Sequence, residues 1–279
     1  MKIVKFCLSI MLIWIIPASL AFAAPPMRIV SLSPATTEIL YDLGLEDRIA
    51  AVTSFCDYPP RAKNKPKVGG FANPSLEAII AAKPDLVIMM EGDNPLEAFN
   101  KIKRMGIKTY VFHAKRLKEL PQGIRELGGV LGIQDRANKR AAEIESQFNR
   151  YAKKAQQAAA RRGYKKVVFV IQPVPLIVAG PGTVIDDALQ ILGLQNIAAD
   201  SRVLYPKYSI EEVVRRSPDV VFFGQGAMSK KVPKTLLRRL DSLDAVKKGH
   251  VYYTSEMLYR LTPKTILGME EIVTHLNKI

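Results

Sequence analysis

Apolar residues recur along this chain in short blocks, and the blocks alternate between two periods. Near-continuous runs of β-branched and aliphatic residues at 28–32, 85–89 and 108–112 predict strands covered on both faces. Between and after them, helical spacing predicts helices near 37–43, 75–82, 95–105 and 117–131. Strands that alternate with helices predict βαβ units and a mainly parallel sheet.

The pattern changes at 134–162. That stretch holds no Gly and no Pro and is dominated by Ala, Arg, Lys, Gln and Glu, all strong helix formers. At 1.5 Å per residue it predicts a rod on the order of 40 Å long. Gly163 ends it, and a β run opens at Lys166.

The second half then repeats the first. Ser75 to Ile88 aligns without a gap with Ser209 to Phe222: Ser, aliphatic, Glu, any residue, two aliphatics, three variable positions, Pro, Asp and a strand start. Leu43-Gly44-Leu45 is echoed by Leu192-Gly193-Leu194. The expected fold is α/β, with two Rossmann-like lobes built on parallel-rich sheets and joined by one long helix. The expected division is a lobe over 24–133, the helix over 134–162 and a lobe over 163–279.

Within the repeat, Ser75 and Ser209 fall where N-caps belong, and Glu77 and Glu211 fall in the first turn, where the helix dipole favours a carboxylate. Pro84 and Pro218 close each helix. Capping alone accounts for a glutamate at either place. It does not account for one acidic tip on each lobe, and a matched pair suits a two-fold symmetric partner.

The first residues belong to no lobe. Lys2 and Lys5, an apolar run over 6–16, Pro17 and Ala21-Phe22-Ala23 have the form of a secretory leader cut after Ala23. Cys7 lies at the start of the apolar run, whereas a lipid-attachment cysteine would follow it, so export to the periplasm as a free protein is expected. The leader takes Cys7 with it and leaves Cys56, so no internal disulfide is expected.

Charge narrows the partners. There are 41 basic and 26 acidic residues, a formal charge of +15. The cations are scattered, with no run interleaved with aromatics, so nucleic acid is not an expected partner and a basic soluble protein is. Chemistry is sparse. His113, His250 and His275 share no metal-ligand spacing. Gly180-Pro181-Gly182 lacks the third glycine of a dinucleotide loop and any phosphate-loop lysine. There is no Gly-x-Ser-x-Gly and no His-Glu-x-x-His. No catalytic residue, resident cofactor or metal site is expected, and an enzyme on a similar two-lobed scaffold is the remote alternative.

Four segments carry a resemblance: Met27-Arg28-Ile29-Val30-Ser31-Leu32-Ser33-Pro34-Ala35-Thr36-Thr37-Glu38, Asp57-Tyr58-Pro59-Pro60, Leu76 to Ile88, and Ser201-Arg202-Val203. In this order they resemble the helical-backbone substrate-binding proteins of metal-chelate ABC importers, which serve cobalamin, ferric siderophores and haem. The similarity is greatest to the cobalamin-binding branch. It implies a monomer that holds its ligand between the lobes and delivers it to an inner-membrane ABC permease dimer with ATPase subunits. It implies permease docking through Glu77 and Glu211, and ligand contacts at Phe55, Phe71, Met90, Tyr205, Glu256 and Arg260. Phe71, Met90 and Tyr205 stand where cobalamin binders carry tryptophan, so a siderophore or haem is the alternative ligand. Whether His113, Tyr58 or Cys56 meets the ligand's metal is open at this point.

Overall fold

Two sheets, each made from the buried aliphatic runs, face one another across a long helix. The computed structural model describes residues 25–225 and 234–277; the expected leader lies outside them. The first lobe comprises β1 (Ile29–Ser31), α1 (Pro34–Asp42), β2 (Ile49–Val52), α2 (Leu76–Ala81), β3 (Leu86–Met90), α3 (Leu96–Arg104), β4 (Thr109–Phe112) and α4 (Leu120–Val130). Its strands lie in the order β2-β1-β3-β4, all parallel. Then comes α5 (Gln134–Arg162). The second lobe comprises β5 (Lys166–Pro173), β6 (Leu176–Val178), α6 (Val184–Ile191), β7 (Gln195–Asn196), α7 (Ile210–Arg216), β8 (Val220–Gln225), α8 (Lys234–Arg239), α9 (Asp244–Lys247), β9 (Val251–Ser255) and α10 (Thr265–Asn277). Here β5 pairs β8, and β8 pairs β9, in parallel; β7 joins the start of β5, and antiparallel β6 its end. Among the described residues no helix is long and apolar enough to cross a membrane.

The duplication read from the sequence extends to backbone detail. Asp85 Oδ2 accepts from the N–H groups of Met27 and Arg28, both at 2.8 Å, and anchors the start of β1. Its counterpart Asp219 accepts from Lys165 and Lys166 at 2.7 and 2.8 Å and anchors β5. The residues before the matched prolines, Lys83 and Ser217, have φ of 45° and 48° and are the two non-glycine residues with positive φ among those described. So the strand expected from Asp85 begins at Leu86: Asp85 serves as a clamp, not a ladder residue.

Local chemistry sets the other ends. Ser33 Oγ accepts from Ala35 N–H, and Pro34 occupies the first helical turn, so α1 starts ahead of the expected 37. Pro121 likewise starts α4, which splits the helix expected near 117–131 into a 3₁₀ turn over Leu117–Glu119 and α4 proper.

Helix α5 is a spine rather than a spacer. Its buried residues Ala137, Ala141, Ile144, Phe148, Tyr151, Ala155 and Ala158 recur at alternating intervals of four and three, a single apolar stripe. The stripe lies in one continuous cluster with Leu127 and Leu131 of the first lobe and Met269, Ile272 and Leu276 of the second. Arg125 on α4 ties to Glu145 by two hydrogen bonds of 2.8 Å, and Arg140 grips Asp42 of α1 at 2.7 and 3.1 Å.

The α4–α5 crossing depends on a missing side chain. A Cβ at Gly128 would lie 2.2 Å from the Cβ of Ala137. Alanine is the better helix former by about 1 kcal/mol, but the helices would have to part, and overpacking costs about 1–3 kcal/mol. Gly128→Ala should therefore lower the midpoint of thermal unfolding; a rise would show that the crossing has room to spare.

Candidate ligand-binding cleft

The carboxyl ends of parallel strands are where α/β proteins assemble sites, because loops converge there and helix N-termini point in. In the first lobe, β3 ends in Met90 and the turn Glu91-Gly92-Asp93, β4 is followed by Ala114 and Lys115, and the loops after β2 carry Phe55 and Phe71. These residues and the start of α1 form one wall of a cavity of about 660 Å³. Gly182, Val184, Leu204, Tyr259, Arg260 and Leu261 of the second lobe form the other.

Four of the six expected ligand contacts meet there: Phe55, Phe71, Met90 and Arg260. Phe55 and Phe71 stand edge to face, ring centres 5.4 Å apart. Phe55 remains 56% exposed, an apolar surface that a flat ligand would cover. The other two do not line the cavity. Leu204 lines the cavity where its neighbour Tyr205 does not, although the two are similarly exposed, 51% and 54%. Glu256 lines an adjoining cavity of about 230 Å³ with Met257, Tyr259 and Arg260. Sequence reasoning missed Asp93 and Tyr259. The signals were present: Asp93 follows the end of a buried strand, and Tyr259 is the aromatic next to Arg260.

Among the described residues, three ion pairs, made by two arginines, cross between the lobes. Arg260 Nη1 donates to Glu38 at 2.9 Å and to Asp57 at 2.8 Å, and Thr262 Oγ1 donates to the second oxygen of Glu38 at 3.1 Å. Burial pushes the Glu38 carboxyl above its ordinary value, with the Arg260 guanidinium opposing. At the more open Asp57, burial also pushes upward, but the hydrogen bond and charge of Arg260 outweigh it and hold the carboxyl below the ordinary range. On α6, Asp187 accepts from Arg116 Nε at 2.6 Å and from Leu117 N–H at 2.7 Å.

His113, Tyr58 and Cys56 do not line the cleft. His113 Nδ1 lies 2.9 Å from Glu91, which also holds Lys115 at 2.7 Å; His113 itself is exposed and is not in the cavity wall. Tyr58 sits under Lys264, 3.8 Å from nitrogen to ring centre, beside a different cavity. Cys56 is buried, its sulfur 3.1 Å from the hydroxyls of Thr37 and Thr53. Among the described residues no group of three or more His, Cys, Asp or Glu is arranged to hold a metal ion.

Glu77 and Glu211 occupy equivalent settings. Both are exposed, each in the first turn of a helix capped by a serine, and both carboxyls are held below the ordinary range by the helix-end backbone N–H and by that serine. Helices α2 and α7 run back toward the starts of β3 and β8, so their N-termini stand at the carboxyl ends of the sheets, the end occupied by the cleft.

Comparison with known proteins agrees with this architecture. A family model described as periplasmic binding protein matches residues 29–258. The chain is 29% identical to a vitamin B12-binding protein of Vibrio parahaemolyticus over 99% of this chain and 98% of that one. The crystal structure of the periplasmic vitamin B12 binding protein of Vibrio cholerae superposes with a TM-score of 0.76 at 29% identity, covering 90% of this chain and 97% of the other. A periplasmic heme-binding protein of Pseudomonas aeruginosa also gives a TM-score of 0.76, covering 90% of this chain and 92% of that one, but at 23% identity the likeness is one of fold.

Proposed function

The chain belongs to the periplasmic binding protein family, and from that premise we propose that it captures cobalamin or a related corrinoid and delivers it to an ABC importer. The observation that carries this reading is the cleft: a cavity of about 660 Å³ between two lobes, with the Phe55–Phe71 pair and Tyr259 as aromatic surfaces and Arg260 and Asp93 as polar groups. A broad, largely apolar macrocycle edged with amides suits such walls. The vitamin B12-binding relatives, matched over almost their full length, point the same way.

The mature protein is a periplasmic monomer freed of residues 1–23, with lobes over 24–133 and 163–279 on either side of the helix at 134–162. It performs no catalysis and consumes no ATP; it returns its ligand unchanged to a permease dimer driven by separate ATPase subunits. Glu77 and Glu211 dock it there, one carboxylate on each half of the dimer. The continuous core through α5 supports a small opening motion of the lobes, not a wide hinge.

An iron chelate is the second reading. The observation in its favour is the Tyr259 hydroxyl, buried in the cleft wall without a hydrogen-bond partner among the described residues. Burial pushes that phenol up to about 12, which works against the phenolate that iron would need. Titration calorimetry of the mature chain with cyanocobalamin, haem and a ferric siderophore decides between them. Cyanocobalamin should bind most tightly; preferential binding of either iron chelate would overturn the corrinoid assignment.

A further inference from the structure

Among the ionisable side chains in the cleft wall, one carboxylate stands apart. Glu91, Asp93, Lys115 and Arg260 all line the cavity. Each cation is already matched: Lys115 by Glu91 at 2.7 Å, Arg260 by Glu38 and Asp57 at 2.9 and 2.8 Å. Asp93 touches no cation. Its Oδ2 accepts a short hydrogen bond from Ser33 Oγ. Ser33 is in turn fixed as the N-cap of α1, where its Oγ accepts from Ala35 N–H at 3.1 Å. The backbone N–H of Asp93 reaches Met90 O at 3.3 Å, which holds the turn against the end of β3.

Among the described residues this wall is therefore acidic where it is unpaired and offers no free cation. We propose that Asp93 sets the cleft's specificity, accepting a hydrogen bond from a primary amide of the ligand and excluding macrocycles that present a carboxylate at that edge. The assignment rests on the corrinoid reading, since a corrinoid is edged with neutral amides whereas haem carries two propionates. An amide N–H meets the carboxylate as a donor to a charged acceptor, the stronger class of hydrogen bond. A ligand carboxylate meets it as a like charge in a partly desolvated slot, with Lys115 and Arg260 already engaged. Burial, opposed by the Ser33 hydrogen bond and by the charge of Arg260, pushes the Asp93 carboxyl above its ordinary value, as expected of a group facing a poorly solvated space.

The test uses the mature chain, wild type and Asp93→Asn, titrated near neutral pH with cyanocobalamin and with each of its three monocarboxylic acids, in which one propionamide is hydrolysed to a propionate. In the wild type at least one acid should bind about tenfold or more weakly than cyanocobalamin, the scale of a like-charge contact. In Asp93→Asn that ratio should shrink toward one, because asparagine keeps the shape and both accepts and donates. Asp93→Ser is the second variant, read by the same ratio should asparagine there prevent folding. If the wild type binds cyanocobalamin and neither variant alters the ratio, Asp93 is not the selector although the corrinoid reading stands. If the wild type fails to bind cyanocobalamin while binding haem, the corrinoid reading itself is lost and the role of Asp93 with it.

Discussion

Changing Glu77 and Glu211 together to alanine is expected to abolish ligand import while leaving the affinity of the purified protein for its ligand unchanged. Both carboxylates are exposed in the first turn of their helices, and neither lines the cleft between the lobes. Their replacement should cost the folded state little, since exposed charges contribute about 0–1 kcal/mol. At an interface the accounting differs. Removing one member of a desolvated charge pair costs about 2 kcal/mol or more. Two such losses weaken docking by about a thousandfold, at 1.4 kcal/mol for each factor of ten. Single variants should fall between, and similarly to one another, because their settings match down to the capping serine. Uptake measured in cells lacking the endogenous protein and complemented with each variant is the readout. Import by the double variant at the wild-type rate would remove these residues from the docking surface.

The second large effect concerns stability. Arg116→Ala should lower the unfolding free energy by about 3 kcal/mol, because it leaves a buried carboxylate without its counter-charge. The Asp187 side chain is 5% exposed and that of Arg116 36%. Removing the aspartate instead releases an arginine that can turn into water, leaving chiefly the Leu117 amide unpaired, a cost of about 1–2 kcal/mol. The arginine variant should thus be the worse of the two, although Asp187 takes part in more of the hydrogen bonds. Denaturant unfolding of Arg116→Ala and Asp187→Ala measures the order; the reverse order would mean that Asp187 is not held as a buried charge.

The features legible in the sequence were those written locally. Alternating apolar blocks announced the two sheets, and a Gly- and Pro-free stretch announced α5. The gapless match of 75–88 with 209–222 announced equivalent connectors, which the structure repeats in the Asp85 and Asp219 clamps. Short strands such as β6 and β7 left no such mark, having two or three residues each and taking their shape from pairing with β5. Of the residues expected through resemblance, Phe55, Phe71, Met90 and Arg260 line the cleft, and beside Tyr205 it is Leu204 that does, since an irregular loop has no period to say which of two neighbours turns inward. The contacts between lobes were invisible for a different reason. Arg260 and Glu38 are separated by 222 residues, Arg116 and Asp187 by 71, and nothing local in a chain announces a pairing made only when distant segments pack.

The doubled connector has one more consequence. For a channel made of two identical halves, a molecule whose ends carry the same acid in the same setting has no preferred way up. On the proposed docking, half a turn about the axis of approach, which passes between the lobes, would put Glu211 where Glu77 stood, and either approach would be productive. The cargo gains no such freedom. Phe55 and Phe71 line one side of the slot and Tyr259 and Leu204 the other, so the two approaches would hand over the cargo with the same edge leading but turned by half a turn. A channel served in this manner has to admit its passenger either way round.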